Sequence, residues 1–477
     1  MRPTRLALPL LPLLLQLGGC TLGPIFASPP VDVPGAFRAS PETAKAAWPA
    51  TYWWENFRSP ELDALMNRAR LFNNDLGAAA ARVVQADAQV RISGAPLLPT
   101  LNGTGDFSYN RSGTGSRSSS GFSSGGGGHY FDSRSYSIGL QASYDLDLFG
   151  RNRALLQSAQ ANAIATRFDQ QTVTLAVESS VASTYFQVLS AQDRLRVAER
   201  NLRSAEQILA AYRARLTVGT ANLLDVSQQE ALVAGQRANL PNYRNTIEQN
   251  RLALGILVGL PPERLDITGG SLDKLPLPLV APGLPSELLA RRPDVAYAEA
   301  LLAAQNANIV AARAAFYPQI SLTASGGLTS AALSSITGPG TLVAQLASAL
   351  TQPIFDNGLR RGDLDQAKGR YGELLANYQK AVLQAFTDVE QSLTSLQYTS
   401  DQEAREREAI AVAQRAADIA NAQLQAGTID IITSLNTQTT LYNYLDLLTQ
   451  IRLSRFLALL NLYKAMGGGF TVAGQSA

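Results

Sequence analysis

Apolar side chains recur every seven residues along a stretch from Arg151 to Leu216 that contains no glycine or proline. Large residues hold one heptad position, and alanines stand three positions after several of them: Val181, Val188, Leu195, Leu202, Leu209 and Leu216; Ala191, Ala198 and Ala205. A sustained seven-residue period predicts one long, supercoiled helix with close helical neighbours. At ~1.5 Å per residue this helix would be about 100 Å long. That is too long for a compact globular domain.

The residues that end this helix occur twice. The stretch 216–224 (LTVGTANLL) returns 208 positions later as 424–432 (LQAGTIDII). In each copy a glycine, Gly219 or Gly427, suits the left-handed residue that closes a helix, and Asn222 or Asp430 suits the start of the next one. Each copy therefore predicts the tip of a helical hairpin, with returning helices over about 222–258 and 429–465.

The repeat extends beyond the two tips. The offset of 208 also pairs Leu175 with Leu383 and Gly259 with Gly467, and earlier in each copy an offset of 219 pairs residues such as Pro99 with Pro318. The chain is therefore predicted to hold two tandem repeats, at 61–259 and 286–466. A proline-rich connector at 260–285 separates them, and a tail follows at 467–477. Within the repeats the pattern predicts helices over about 60–94, 286–315 and 358–425, although Glu403 falls on an apolar position of the last one.

Between the helices the period changes to two. Apolar and polar residues alternate from Thr100 to Tyr109 and from Ser135 to Asp147, with aromatic residues near the ends. Corresponding strands are predicted at about 317–328 and 342–354. Segments of about ten residues with this pattern are typical of transmembrane β-strands, and the alternative is a soluble hairpin that covers a core. The Gly/Ser-rich residues 110–133 between the first two strands predict an exposed loop, in which His129 has no partners for a metal site.

The N-terminus predicts export. Arg2 and Arg5 precede an apolar run that ends in Leu17-Gly18-Gly19-Cys20, so 1–19 is expected to be a signal peptide and Cys20 a lipidated residue carrying diacylglycerol and an N-acyl chain. An ordinary signal peptide is the alternative. Thr21 is not the aspartate that usually retains lipoproteins at the inner membrane, so the outer membrane is the expected location. Residues 20–60, with Trp48, Trp53 and Trp54, are expected to form a tether.

Composition narrows the functional classes. The formal net charge is +2, and without Arg2 and Arg5 the basic and acidic residues are equal at 38 each, so no nucleic-acid partner is expected. Charged residues make up only 16%. The sequence shows no glycine-rich phosphate loop and no nucleophile elbow, and it has one histidine and one cysteine, so we predict that the chain is not an enzyme and carries no cofactor beyond the acyl chains. A structural outer-membrane lipoprotein with long coiled coils remains a second hypothesis.

Four segments resemble those of a known family. They are LPSELLARRPDV at 284–295, AARAAFYPQISL at 311–322, CTLGP at 20–24 and QPIFD at 352–356. Together they are similar to signature segments of the TolC-like outer-membrane efflux factors, in the lipoprotein (NodT/OprM-type) branch. The resemblance covers essentially the whole mature chain. Ile25 and Phe26 depart from the acidic or amide residue and tyrosine that are usual there.

This resemblance implies a mixed α/β membrane protein. Three chains would each contribute four strands to a 12-stranded outer-membrane β-barrel, continuous with a long periplasmic α-helical barrel. The homotrimer, in contact with outer-membrane lipid, would be the passive exit duct of a tripartite efflux pump for drugs or other small toxic compounds. Its partners would be a periplasmic adaptor (membrane fusion) protein and an inner-membrane resistance-nodulation-division transporter. A duct for metal-ion efflux or for type I secretion is the alternative within transport.

The resemblance also implies roles for both tips. The adaptor would dock on Leu216, Val218, Gly219 and Thr220 of the first tip and on Leu424, Ala426, Gly427 and Thr428 of the second. Asp430 would close the periplasmic end of the duct. Because Asn222, its counterpart in the first repeat, is also a good N-cap type, Asp430 either gates the pore, caps a helix or does both.

Overall fold

The computed structural model describes residues 26–38, 48–113, 130–280 and 283–470. Two compact units are formed from alternating parts of the chain. The first, the strand unit, is built mainly from Gln85–Ala163 and Ala300–Leu375. The second, the hairpin unit, comprises Pro29–Val84, Ile164–Glu299 and the chain from Ala376 onward.

The strand unit contains an antiparallel sheet in the order β1-β2-β3-β4. Its strands are β1 (Thr100–Gly113), β2 (Tyr130–Leu146), β3 (Gln319–Ser330) and β4 (Leu342–Thr351). All four strands were predicted. The first two extend further into the predicted loop than expected, because pairing continues from Tyr109 opposite Arg134 to Gly113 opposite Tyr130.

Aspartates connect the sheet to the two longest helices, α3 (Arg151–Thr217) and α7 (Leu359–Gln425). The carboxylate of Asp147 accepts hydrogen bonds from the backbone N–H groups of Asn152 and Arg153 at 3.0 and 2.8 Å. Asp356 accepts them in the same way from Gly358 and Arg360, at 3.1 and 3.3 Å. Each carboxylate satisfies N–H groups that the first turn of a helix leaves without partners, which fixes where the helix begins.

The hairpin unit is built from the remaining length of α3 and α7 and from two returning helices, α4 (Leu223–Leu257) and α8 (Ile431–Ala465). The predicted bounds of these four helices are confirmed to within two residues. Within the described part of the chain, no helix is both long enough and apolar enough to cross a lipid bilayer.

The prediction of one helix over 60–94 is wrong, and so is that of one over 286–315. The first is divided into α1 (Pro60–Phe72) and α2 (Asn74–Gly94), and the second into α5 (Pro285–Leu289) and α6 (Pro293–Ala314). Asn73 is extended, and its side chain accepts from the N–H groups of Asp75 and Leu76. In the second repeat, Pro293 disfavours a helical conformation at the residue before it.

In both repeats, a side chain at the helix break donates a hydrogen bond to the end of a returning helix. The side-chain amide of Asn73 donates to the carbonyl oxygen of Leu257 at 2.8 Å, near the end of α4. Arg292, which is 219 positions later, donates to the carbonyl oxygen of Ala465 at 3.3 Å, at the end of α8. Paired contacts at equivalent positions support the tandem repeat inferred from the sequence.

The core of the hairpin unit includes residues from the segment expected to be a tether. Trp53–Phe57 form a short 3-10 helix, and Trp53, Trp54 and Phe57 are fully buried. The ring of Phe57 lies 5.0 Å from that of Phe186 on α3 and 5.9 Å from that of Phe456 on α8. Trp48 donates to Glu287 at 3.1 Å. The part of the predicted tether from Trp53 to Phe57 therefore belongs to the core and packs between α3 and α8.

Glu403, the exception in the apolar pattern of α7, is buried with 1% of its side chain exposed. Arg407, Arg455 and Arg452 lie 2.6, 2.7 and 3.5 Å from its carboxylate. A buried carboxylate is tolerated only when it is paired and hydrogen-bonded. The deviation from the heptad therefore marks an ionic contact between α7 and α8.

Candidate functional site

One face of the four-stranded sheet is apolar. The register places Phe107 opposite Tyr136, Ile138 opposite Leu328, and Ile320 opposite Leu350. The large side chains of this face are mostly exposed, by 57–83% for the following residues: Leu101, Phe107, Ile138, Leu140, Leu342, Leu346 and Leu350.

The opposite face is polar. It carries hydroxyl, amide and carboxylate side chains from all four strands: Asn102, Thr104, Asp106, Ser108, Ser137, Gln141, Ser143, Asp145, Ser321, Thr323, Ser325, Gln345 and Thr351. A soluble hairpin that covers a core would bury its apolar face, whereas here the apolar face is exposed as well as the polar one. Soluble monomers rarely expose so large an apolar surface, and a lipid bilayer covers it in transmembrane strands. The sheet therefore favours the transmembrane interpretation over the soluble hairpin.

The two hairpin tips of the hairpin unit share one backbone geometry. Gly219 and Gly427 have positive φ angles of 74° and 75°. In the first tip, the N–H groups of Gly219 and Thr220 donate to the carbonyl oxygens of Leu216 and Arg215 at 3.1 and 2.9 Å. This is the Schellman arrangement that closes a helix at a left-handed residue.

The second tip repeats these bonds. Gly427 donates to Leu424 at 3.2 Å and Thr428 to Gln423 at 3.0 Å. The hydroxyl groups of Thr220 and Thr428 add a further bond to the same carbonyl oxygens as their own N–H groups, at 3.1 Å each. The predicted glycine closure of both tips is confirmed.

The predicted N-caps are also confirmed. The side-chain oxygen of Asn222 accepts from the N–H of Asp225 at 2.9 Å, and that of Asp430 accepts from the N–H of Thr433 at 2.7 Å. The hydrogen bonds from Thr433, the backbone N–H first, hold the pKa of the Asp430 carboxyl below its ordinary value of 3.8. Asp430 thus caps α8 as a carboxylate, which leaves its gating role as a separate hypothesis.

An arginine that the sequence analysis did not single out connects the two tips. The guanidinium of Arg215, in the last turn of α3, donates to the carbonyl oxygens of Leu424 and Gln425 at 3.3 Å each. A cation at these carbonyls also matches the negative end of the α7 dipole. The only sequence signal was a basic residue in the last turn of a helix, which does not say which helix it will cap.

An apolar cluster packs next to the contact between Arg215 and the end of α7. Buried Leu209, Tyr212, Val226, Leu424 and Ile431 come from all four helices that meet at the tips. The desolvated position of Tyr212 raises the pKa of its phenol, and Asp225 and Asp430 add to that rise while Arg215 opposes it. The two tips are therefore packed as one body within the hairpin unit.

The predicted docking residues differ in exposure. Leu424 is buried and Leu216 half-buried, so both support the tips from inside. The remaining six are exposed: Val218, Gly219, Thr220, Ala426, Gly427 and Thr428. Exposed Leu223, Leu224 and Ile432 extend the apolar part of this surface. Cys20 and His129 lie outside the described residues, and so does the whole predicted signal peptide, 1–19.

An amphipathic sheet with long repeated helical hairpins defines an outer-membrane channel. The model of the outer membrane efflux protein family matches residues 65–260 and 284–468. The chain belongs to this family and is an outer-membrane efflux channel. The mixed α/β fold with two tandem repeats, predicted from the sequence, is confirmed.

Relatives match along nearly the whole chain. The pyoverdine export outer membrane protein OpmQ of Pseudomonas aeruginosa is 39% identical over 457 residues, which cover 96% of this chain and 95% of that protein. The toluene efflux pump outer membrane protein TtgC of Pseudomonas putida is 32% identical, with coverages of 95% and 93%. The cation efflux system protein CusC of Escherichia coli is 31% identical, with coverages of 95% and 97%.

Solved structures show the same fold. A crystal structure of CusC has a TM-score of 0.82 at 30% identity and covers 94% of this chain and 100% of that one. The open state of the MtrE outer membrane channel of Neisseria gonorrhoeae has a TM-score of 0.84 at 31% identity, with coverages of 95% and 99%. These relatives are channel proteins and not enzymes.

Proposed function

We propose that three copies of this chain form the exit duct of a tripartite efflux pump, which passively releases small organic compounds across the outer membrane. The observation that carries the proposal is the four-stranded sheet with one exposed apolar face and one polar face. Among the strands that the structure describes, the outer ones, β1 and β4, each pair with a single neighbour. A barrel needs about eight strands to close, so four strands must be completed by further copies. The number three, which gives twelve strands, comes from the resemblance to the TolC-like efflux factors.

The tips offer a docking surface for the partners that the family resemblance implies. The exposed residues of both tips, with Leu223 and Ile432 beside them, offer a mostly uncharged surface on rigid glycine-closed turns. A periplasmic adaptor would dock there and connect the duct to an inner-membrane resistance-nodulation-division transporter. The energy for export would then come from that transporter, and the chain itself would catalyse no reaction. Acylation of Cys20 would add a lipid anchor, which metabolic labelling with palmitate of the wild type and of Cys20→Ser would test.

Organic compounds are favoured over metal ions as cargo. Relatives named for export of pyoverdine and of toluene handle organic molecules, whereas CusC is named for cation efflux. Copper(I) and silver(I) prefer soft thioether and thiolate ligands. Met66 and Met466, the two methionines in the described residues, are buried at 0% and 1% exposure and so do not offer their sulfur atoms to a passing ion. A duct for metal ions or for type I secretion is the second candidate, supported by the CusC likeness for metals.

The test is complementation in a Gram-negative strain that lacks its own outer-membrane efflux channels. The chain is expressed in parallel with the adaptor and transporter of an organic-compound pump and with those of a cation pump, and accumulation of a fluorescent pump substrate and sensitivity to silver are measured. We expect lower dye accumulation and unchanged silver sensitivity. Unchanged dye accumulation with every component in the envelope would refute the proposal, and protection against silver only would support the metal alternative.

A further inference from the structure

A group of charged and aromatic side chains ends the apolar face of the first hairpin. These residues, here named the arginine cluster, are Tyr109 and Arg111 on β1 and Tyr130, Asp132 and Arg134 on β2. The register places Tyr109 opposite Arg134, Arg111 opposite Asp132 and Gly113 opposite Tyr130. Because side chains alternate along a strand, the cluster lies on the same face as Phe107, Tyr136 and Ile138.

The cluster presents its guanidinium groups on aromatic rings. Arg111 lies over the ring of Tyr130 at 4.6 Å from its centroid, and Arg134 over the ring of Tyr109 at 5.8 Å. Arg111 is also 3.5 Å from the carboxylate of Asp132, and both side chains are at least half exposed. Two guanidinium groups and one carboxylate leave a net positive charge on an otherwise apolar face.

The cluster lies at the end of the strands far from the helices. The helix-connected ends are Thr100 and Leu146, whereas Gly113 and Tyr130 end the strands at the loop. If the helices are periplasmic, as the proposed function requires, this end faces outward. From Leu101 to Tyr109 the strand covers about 27 Å of length, or about 20 Å of depth at a tilt of about 40°. The arginines therefore lie at or just beyond the outer edge of the apolar band.

The second hairpin provides an internal comparison. Residues 328–342, which join β3 to β4 across the same end of the sheet, contain no charged side chain. The arginines are thus a local feature of the first hairpin and not a general requirement for ending a strand. Guanidinium groups bind phosphate in a forked, bidentate geometry, and stacking on a ring holds them ready for it.

We propose that the arginine cluster binds the phosphate groups of phosphorylated glycolipids in the outer leaflet, with the acyl chains lying along the adjoining apolar face. This inference rests on the proposed function, because it requires the sheet to span the outer membrane. The positive charge of the cluster complements a phosphate group, and the adjoining exposed apolar face fits acyl chains. Both features favour a lipid over a soluble anion, which would not contact the apolar surface.

The test uses full-length protein in detergent, titrated with bisphosphorylated lipid A and followed by native mass spectrometry and thermophoresis. We expect R111Q/R134Q to weaken lipid A binding by about 30-fold, roughly fivefold per arginine. R111K/R134K keeps the charge and should lose less lipid A affinity than R111Q/R134Q. R405Q/R415Q removes two exposed arginines from α7, about 70 Å or more along the helix from Leu359, and should bind like the wild type.

Two further arms identify the source of the phosphate. Dephosphorylated lipid A should bind the wild type as weakly as lipid A binds R111Q/R134Q, and inorganic phosphate at millimolar concentration should not displace lipid A. Equal binding of lipid A to the wild type and R111Q/R134Q would overturn the inference, and so would displacement by inorganic phosphate. Planar-bilayer conductance is recorded for the same preparations. If the wild type forms no pores, the proposed function itself is refuted. If both proteins form conducting pores and R111Q/R134Q binds lipid A as well as the wild type does, only this inference is refuted.

Discussion

Replacing Gly259 with alanine should destabilise the protein through a contact that the tandem repeat uses twice. Gly259 follows α4 with a positive φ of 65°, and a Cβ atom there would overlap the carbonyl oxygen of Phe72 and lie 3.0 Å from its carbonyl carbon. In the second repeat Gly467, with a φ of 85°, meets the carbonyl oxygen of Arg291 in the same way. Backbone atoms cannot rotate out of the way as the end of a flexible side chain can.

The expected loss in the free energy of unfolding has two parts. A left-handed conformation costs an L-residue about 1–2 kcal/mol. Forcing an extra methyl group into a packed site costs about 1–3 kcal/mol more. We therefore expect Gly259→Ala to lower the free energy of unfolding by about 2–5 kcal/mol per chain.

Gly219→Ala is the matched control. Gly219 has a similar φ of 74°, but a Cβ atom there meets nothing within 4 Å. The Gly219→Ala substitution should therefore lose only the stability that the left-handed conformation costs an alanine. Thermal unfolding of the detergent-solubilised proteins, followed by helical circular dichroism, should place Gly259→Ala roughly 5 °C below Gly219→Ala. Equal midpoints would show that Phe72 does not confine Gly259 and would contradict the paired-break account of the repeat.

Four further predictions concern the tips and the core. Asp430→Asn keeps an N-cap and removes the charge, so single-channel conductance should rise if the carboxylate gates the pore; unchanged conductance would leave Asp430 as a cap only. Because folding lowers the pKa of Asp430, its carboxylate should stabilise the protein fully above pH 3.8, and this contribution should disappear as the pH falls through the lower pKa of the folded state. An acid titration in which the wild type and Asp430→Asn lose stability in parallel would contradict this. Gly427→Val should assemble normally and yet weaken adaptor binding in a pull-down, and full adaptor binding would refute the docking assignment. Glu403→Leu should cost about 3–5 kcal/mol in denaturant unfolding because it removes the carboxylate that pairs with partly buried Arg455, while Arg452 keeps Asp273 as a second partner. Exposed Glu408→Leu should cost under about 1 kcal/mol; equal losses would contradict the ionic contact.

Much of the fold followed from local chemistry. Glycine and proline mark the ends of the long helices, and the change from period seven to period two marks the strands, so those bounds are correct to within a few residues. The tips were predictable for the same reason, since Gly219 and Gly427 are followed by residues that cap the next helix. Glu403 was recognisable as an exception before its partners were known.

The remaining features depend on contacts between distant residues. The break at Asn73 has neither glycine nor proline, and its side chain bonds to the end of a helix 184 positions away. The Arg-Arg-Pro-Asp segment was noticed as a family resemblance, but its role as the matching break was missed. Arg215 could not be assigned because its partners belong to the other hairpin, 209 and 210 positions away.

Single-particle electron microscopy of the detergent-extracted protein tests the proposed duct most directly. The account predicts a threefold particle with an axial pore, in which twelve strands close one barrel and the long helices line a tunnel. A monomer, or an assembly without a pore, would contradict it and would leave the exposed apolar sheet without an explanation in transport.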